Sequence, residues 1–509
     1  MLNMADNFLN QITMYRLVLY YLAFLLIVAI ALGTVGWLPY HPISLAGSAL
    51  ILLAACWITN MIFAHVFEAQ TNVESAYITA LILALIITPP LFTNFSGSIP
   101  FLIWVSVWAM ASKYMFAIGK KHIFNPAAFA VALTAASIDQ SASWWIGTLS
   151  MMPFVIIGGL LVVKKILRSG LVFGFLTGAM VSILGFAMLR GSNLLAIAGK
   201  SLFESPLLFF AFIMITEPLT TPPTKKLQVL YGTLVGLLFA PAVHVGSLYF
   251  TPELALLAGN IFSYAVSPKR KHVLRLKEKI NTATDTWDFI FHPDKKVAFR
   301  PGQYMEWTLG HARPDNRGNR RYFTVASSPT EKEVRLGIKF YPHSSSFKKS
   351  LMALDPGDTI SASQLAGDFV LPTDKTKKLV FIAGGIGVTP FRSIVKYLLD
   401  ANEKRQITVL YSNKTPADIA YKDVFDEAEK QLAIKTVYAI TDGGTVPPSW
   451  RARLGFITPR MIAEEVPDYK ERFFYISGPH AMVVAFKKTL RNMGIPRKRI
   501  KTDFFPGFV

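Results

Sequence analysis

The 509-residue sequence contains a single cysteine, Cys56. A lone thiol forms no internal disulfide, and it cannot furnish an iron–sulfur cluster, which takes four protein ligands, mostly cysteine. Any redox group held by this chain alone is therefore organic or haem, and no metal site is expected. Histidine near apolar runs is also sparse. His65, His122 and His244 stand there, and none recurs on one run at a spacing that would stack two haems. Charge is short as well: 17% of residues are Asp, Glu, Lys or Arg, against about 25% in an average soluble protein, while 52% are hydrophobic. Part of the chain belongs in lipid.

Acidic residues are outnumbered by basic ones, 32 to 52, for a formal net charge of +20. The motifs of a nucleic-acid reader are missing, so a basic, membrane-facing surface accounts for the excess and no nucleic-acid partner is expected. The charge is unevenly spread. Residues 1–267 hold 11 Lys/Arg and 7 Asp/Glu, leaving 41 and 25 for the remainder, so the composition changes class near Ser267.

A bilayer core of roughly 30 Å needs about 20 apolar residues per helix. Such runs begin near Leu17, Ile43, Ala76, Ile99, Phe124, Trp145, Leu171, Leu202, Leu227 and Pro252, predicting about ten spans. The first is long enough to span and lacks a small-residue cleavage site after it, so it reads as a retained helix. For an N-in start, the cytoplasmic loops carry Arg16, Lys113, Lys120, Lys121, Lys164, Lys165, Arg168, Lys225, Lys226 and the Lys269–Lys271 cluster. The opposite loops carry Asp139 and Glu253. With Arg190 and Lys200 as exceptions, this bias predicts a multi-pass protein of the cytoplasmic (inner) membrane with both termini cytoplasmic.

The membrane half echoes itself. Glu74-Ser75 opens a run ending Thr88-Pro89-Pro90, Glu204-Ser205 one ending Thr216-Glu217-Pro218, and Ile123-Phe124-Asn125 recurs as Ile261-Phe262-Ser263. Five spans per half would make the repeat inverted, with sites at broken helices near the midplane; the competing reading is chance similarity of apolar sequence. The stretches Lys121-His122-Ile123-Phe124-Asn125-Pro126-Ala127-Ala128-Phe129 and Thr216-Glu217-Pro218-Leu219-Thr220-Thr221-Pro222, with Tyr231-Gly232, resemble the flavin-carrying membrane components of the sodium-pumping NADH:quinone reductase and of the related Rnf complex. The resemblance spans most of residues 10–267. Glu217 stands where that family usually has Asp, and the Ser-Gly-Ala-Thr signature, whose threonine carries FMN covalently, is absent. A non-covalent FMN or riboflavin is thus what the resemblance implies.

Distance also asks for a membrane carrier, since electrons do not usefully cross about 30 Å of hydrocarbon in one step. The polar, helix-breaking segment from Thr216 to Thr224 suits one, because irregular backbone at membrane depth survives only against protein, a cavity or a ligand. Asn125, Thr216, Glu217, Thr220 and Thr221 are the candidate cofactor-binding residues there; an ordinary cytoplasmic loop is the plain alternative. Glu68, Glu74, Glu204 and Glu217, near span ends, are candidates for proton or ion movement.

Beyond the basic linker, residues 272–373 show short β-rich segments broken by Pro301-Gly302, Asn316–Asn319 and Asp355–Asp358, which predicts a small antiparallel barrel. Residues 377–509 alternate strand and helix: 378–383, 391–399, 407–411, 423–432, 473–476 and 481–492, the pattern of a doubly wound parallel sheet. Gly384-Gly385-Ile386-Gly387-Val388-Thr389-Pro390 follows an apolar strand and opens a helix, so its backbone can approach a pyrophosphate at a helix N-terminus. Upstream lies Arg321-Tyr322-Phe323-Thr324, after the Pro301-Gly302-Gln303-Tyr304 turn. Downstream, Ser477-Gly478-Pro479-His480-Ala481-Met482 follows a second apolar strand.

These three ordered motifs resemble the ferredoxin-NADP reductase superfamily over residues 272–509. The resemblance implies FAD as cofactor and NADH or NADPH as donor. It assigns the FAD pyrophosphate to Arg321, flavin N5 to Thr324, and the ring-stacking tyrosine position to Phe323, which keeps the face and loses the hydroxyl. Lys339, Tyr341, Ser345 and Ser346 are implied at the FAD phosphates and ribose, and Gly384, Gly385, Gly387, Thr389, Pro390, Gly478 and Pro479 at the nucleotide. Ser477 stands where the family often has a cysteine beside the nicotinamide. Hydride passes directly between carbon and nitrogen, so positioning is what the protein must supply. In the tail Asp503–Phe508, Phe508 is the candidate cover for the flavin ring; closure of the core is the plain role. Nucleotide choice falls to Ser412-Asn413-Lys414 and stays open.

The expected organisation is a transmembrane helical domain (1–267), an FAD-binding barrel (268–373) and an NAD(P)-binding α/β domain (374–509). Thr324, Ser477 and Phe508 are the catalytic candidates. The expected activity is electron transfer from NAD(P)H through FAD to a membrane flavin or quinone, or to an extracytoplasmic acceptor, with homo-oligomerisation open. Two other classes compete: a haem-based transmembrane ferric or oxygen reductase, and a transporter whose flavin domain senses redox state.

Overall fold

The computed structural model describes residues 12–67, 73–118, 121–267, 271–311, 314–315, 318–442 and 452–503. Glu68, Lys120, Lys269, Arg270, Asn316 and the tail with Phe508 lie outside the described residues. The chain divides into two compact units, Met1–Arg270 and Lys271–Val509.

Helices stand at every apolar run of the first unit. They are α1 (Met14–Thr34), α2 (Pro42–Val66), α3 (Val73–Ile86), α4 (Phe95–Met115), α5 (Pro126–Ile138), α6 (Met152–Ile166) and α7 (Ser169–Leu189). There follow α8 (Leu194–Phe203), α9 (Leu207–Met214), α10 (Lys225–Leu238) and α11 (Pro252–Val266). Their lengths depart from the expectation of ten spans. Among the described residues four helices (α1, α2, α7, and α4 with its leading turn) are long and apolar enough to cross a membrane, or five counting α8 with α9, which bend by 58° at their break. The described parts of α3, α5, α6, α10 and α11 run only 13–15 residues, roughly 20–23 Å at 1.5 Å per residue. Proline opens α5 and α11 at Pro126 and Pro252, and Asn125 and Thr251 cap them, so polar turns take up residues that a longer helix would need.

Element order repeats in this unit. Three helical segments, with the bent pair α8–α9 taken as one, a Thr-Pro-containing break and a further helix lead to a two-stranded hairpin and a short proline-led helix. The first hairpin is β1 (Ala117–Ile118) with β2 (Lys121–His122), the second β3 (His244–Val245) with β4 (Leu248–Tyr249). Helices α7 and α10 approach backbone to backbone. A methyl on Gly236 would stand 2.3 Å from the Phe175 carbonyl oxygen, and one on Gly178 2.6 Å from that of Thr233, the close approach that small residues permit between membrane helices.

Among the described residues the second unit holds two six-stranded sheets. The first contains β5 (His272–Ala283), β6 (Thr286–Pro293), β7 (Tyr304–Thr308), β8 (Arg320–Thr324), β9 (Val334–Lys339) and, after helix α12 (Ser346–Met352), β10 (Thr359–Ala366). The order is β8-β7-β10-β5-β6-β9, antiparallel throughout, over a core of Phe289, Phe291, Trp307 and Phe347. Among the described residues β8 and β9 form edges rather than the ladder that closes a barrel. One backbone bond, Ala326 N to Arg335 O at 2.9 Å, links them beyond the end of β8.

The other sheet contains β11 (Leu379–Gly384), β12 (Ile407–Asn413), β13 (Lys435–Ile440), β14 (Ala452–Leu454), β15 (Phe473–Ser477) and β16 (Ile500–Asp503). Helices α13 (Thr389–Asp400), α14 (Lys422–Leu432), α15 (Pro459–Glu465) and α16 (His480–Asn492) flank it. All strands are parallel in the order β14-β13-β12-β11-β15-β16. Every residue of β11 is buried, as a strand covered on both faces requires. Succession runs outward one way from β11 to β14 and resumes on its other side at β15, so a topological switch point lies between β11 and β15, the place where such sheets bind ligands.

Candidate functional site

At that switch point two glycine turns touch. A methyl on Gly387 would meet the Gly478 Cα at 2.5 Å, and one on Gly384 the Met482 sulfur at 2.2 Å. Gly385 has φ +51°, a conformation L side chains rarely adopt, and faces open space. The turn passes through Val388 into α13, with Pro390 in its first turn and the Thr389 hydroxyl closed on Ile386 O at 3.2 Å. The structure therefore brings together Gly384, Gly385, Gly387, Gly478 and Pro479. A side chain at Gly384 or Gly387 would collide with the neighbouring turn, while Gly385 leaves its backbone open beside the start of α13, which fits a dinucleotide pyrophosphate.

Ser477 ends β15, buried, and pairs in register with Asp503 of β16. Across from them Thr324, at the end of β8, donates to the Asp503 carboxylate at 3.2 Å. Burial pushes the Asp503 carboxyl up to about 7. Thr324 and Ser477 thus border one buried acid, and this acid was not a candidate in the sequence. The signal was present, since Asp503 is the one acidic residue after Glu471.

Arg321 is buried on β8, 5.2 Å above the Phe347 ring, and donates to the carbonyls of Gly318 (3.1 Å) and Arg320 (2.7 Å). Phe323, half-buried, packs on the same Phe347. The Asp315 carboxylate accepts from Ser346 N at 2.9 Å and stands 3.6 Å from Arg321, so cationic and N–H donors converge on one anion-sized position. That donor set fits an FAD phosphate. The other implied contacts are engaged locally. Ser345 caps α12, and Ser346 Oγ bonds His311 at 2.9 Å. Lys339 pairs with Asp418 at 2.7 Å, and Tyr341 is exposed under the Lys348 ammonium.

The membrane unit assembles a second polar cluster from distant residues. Asn125 Nδ2 donates to Glu217 at 2.9 Å, and Thr220 donates to the same carboxylate at 3.1 Å. Asn125 N donates to Asn260 Oδ1 at 2.8 Å, and Asn260 in turn to the Tyr231 hydroxyl at 3.2 Å. Arg168 binds the Thr216 carbonyl at 3.2 Å and the Thr221 hydroxyl. His122 Nε2 is buried 3.5 Å from Glu217 and makes no hydrogen bond of normal length. This orphaned nitrogen beside amide, hydroxyl and carboxylate groups fits the polar rim of a flavin or quinone. All five membrane candidates fall in the cluster; Asn260, Arg168 and the Glu217-facing side of His122 were missed.

Residues 381–488 match the model of the oxidoreductase NAD-binding domain. NADH-cytochrome b5 reductase 1 of Ajellomyces capsulatus is 29% identical over 257 residues, 48% of this chain and 82% of that one. The glycine betaine monooxygenase reductase subunit of Chromohalobacter salexigens is 24% identical over 239 residues, 46% of this chain and 64% of that one, so the chain spans less than two thirds of its length. Among solved structures, the Amycolatopsis cytochrome P450 reductase GcoB aligns with TM-score 0.42 and 26% identity, covering 46% of this chain and 70% of that one. The protein carries a C-terminal FAD/NAD-binding reductase module of the ferredoxin-NADP reductase type. It is an oxidoreductase, and the family match does not extend into its helical unit.

Proposed function

We propose that this chain is a membrane-bound oxidoreductase. In this reading its C-terminal module accepts a hydride from NADH or NADPH at the cytoplasmic face, and its helical unit receives the electrons singly through a non-covalent flavin or a quinone. One observation carries the reading: a single chain joins the touching turns Gly384–Gly387 and Ser477–Pro479 to helices long and apolar enough to cross a bilayer. FAD, when bound, supplies the conversion of a two-electron donor into one-electron steps.

The chain's own residues position and protonate. The touching turns at Gly387 and Gly478 hold the dinucleotide backbone, Arg321 neutralises phosphate, and Phe323 offers a ring face. Thr324 and Asp503 hold a proton beside the junction, and the side chain at Ser477 is small enough to leave the nicotinamide room. Phe508 is assigned the cover of the flavin ring. In the helical unit, Asn125, Glu217 and Thr220 hold the carrier's polar edge, and Thr216 and Thr221, held by Arg168, shape the break around it.

The named relatives deliver electrons to cytochrome b5 or to a monooxygenase, and the corresponding acceptor here is the membrane carrier. The test is the full chain purified in mild detergent with its flavins counted after denaturation. FAD plus a second, released flavin, or FAD plus quinone reduction driven by NADH or NADPH, is the expected result. FAD alone with no quinone reduction removes the carrier, and a colourless protein that does not bleach added FAD removes the whole reading. A Soret band would move the assignment to haem.

A further inference from the structure

The C-terminal unit has a charge asymmetry that neither nucleotide site uses. Between His480 and Lys501 the sequence holds seven Lys/Arg and no Asp/Glu. Arg499 and Lys501 are tied down, Arg499 to Lys470 O at 2.6 Å and Lys501 to Val370 O at 3.0 Å. Lys487, Lys488 and Arg491 lie on α16, and Arg497 and Lys498 in the turn after Pro496. Among the described residues none of these five forms an ion pair, whereas nearby Lys435, Arg453, Arg460 and Arg472 are each matched by a carboxylate.

The helix explains the placement. Val483 and Leu490 point into the core with Phe486 and Met493, so Val484, Lys488 and Arg491, at i, i+4 and i+7, line the outer face. Helix α14 packs in a separate core cluster with α13. It carries Asp423, Asp426, Glu427 and Glu429 against Lys422 and Lys430.

We propose that this basic edge rests on anionic phospholipid headgroups of the bilayer that holds the helical unit, an inference that depends on the membrane reading above. Protein interfaces centre on desolvated apolar anchors and deplete charge there. Here Val484 is the one large hydrophobic side chain exposed between Phe456 and Asp503 among the described residues. Free cations without an anchor match a surface of many phosphates and no pocket. The acid-rich α14 is repelled by the same surface, which makes the docking oriented.

The test uses the full chain in nanodiscs bearing a headgroup quencher, with a fluorophore on Val484→Cys, Cys56 being buried. Phosphatidylcholine alone is compared with discs containing added phosphatidylglycerol. Quenching should rise in the anionic discs and fall about fivefold for each cation neutralised among Lys488→Gln, Arg491→Gln, Arg497→Gln and Lys498→Gln. It should also disappear in roughly 1 M salt, where screening acts within about 3 Å. A label at Glu429→Cys on α14 should stay unquenched throughout. Equal quenching in both lipids, or quenching of the α14 label instead, overturns the proposal. So does a neutralised variant that keeps its quenching but reduces an acidic soluble acceptor more slowly, which would mark the edge as a protein dock. A chain that enters discs and bleaches with NADH yet stays unquenched removes the docking alone; one that does not enter removes the membrane reading with it.

Discussion

The Thr324 hydroxyl donates to Asp503 at 3.2 Å, and this bond ties the end of an antiparallel strand to the edge strand of the parallel sheet. The two residues are 179 apart in the chain, yet they meet where flavin and nicotinamide sites are expected to adjoin. Burial holds the acid protonated to about pH 7.

Asp503 therefore imposes a pH dependence with a definite sign. Below about pH 4 both folded and unfolded chains keep the proton. Between there and about 7 only the folded chain does, so its stability declines as pH rises through this window and levels off above it. The flavin-release temperature of the full chain, followed from acid to neutral pH, should show this decline, and Asp503→Asn should flatten it. An unchanged slope in the variant would show that another group titrates.

Gly387→Ala places a methyl 2.5 Å from the Gly478 Cα. Both partners are backbone, so the clash is relieved only by parting the two turns, at a cost of about 1–3 kcal/mol. NAD(P)H-driven bleaching should fall about tenfold to a hundredfold in kcat/KM while FAD content stays at the native level. Loss of FAD along with activity would show that the turn supports the fold rather than the donor site.

Asp288 is fully buried between the sheets, accepting from Arg335 at 2.6 Å and from the Tyr421 hydroxyl. Asp288→Ala strands the Arg335 cation and should cost about 3–5 kcal/mol. Tyr421→Phe should cost about 1–3 kcal/mol, because one acceptor is left short. Denaturant midpoints read by flavin fluorescence would rank the two, and a larger loss for Tyr421→Phe would contradict this order.

In the helical unit, Asn125→Ala removes both the cap of α5 and the amide bond to Glu217. Quinone reduction should drop at least about tenfold, the scale of one lost charged hydrogen bond, while FAD bleaching by NADH stays at the native rate. Equal losses in both assays would place the effect in folding instead of at the carrier site.

Legibility from sequence followed locality. Gly384–Gly387 could be read because an apolar strand and a helix flank it within a dozen residues. The Asn125–Glu217 bond was visible only as two separate motifs, since nothing local announces a partner 92 residues away, and Asn260 lay inside an apolar run that hid it. The apolar runs were countable, but their helical lengths were not. Proline-led starts at Pro126 and Pro252 and the hairpins before them consume residues that hydropathy alone assigns to a span. Barrel closure was equally out of reach, because it depends on how the chain after Thr324 meets Arg335.

The seam between α7 and α10 bears on how the helical unit can move. With Gly178 and Gly236 set against the backbone of the opposite helix, those two points leave no room for a side chain, so sliding of one helix along the other is opposed there. The π-helical turn at Phe210–Met214 stands just before Glu217, and the 58° bend lies upstream of it, at the break between α8 and α9. Irregular helix is therefore concentrated in the segment leading to the Glu217 cluster, which is where a rearrangement on turnover is expected rather than at the α7–α10 seam.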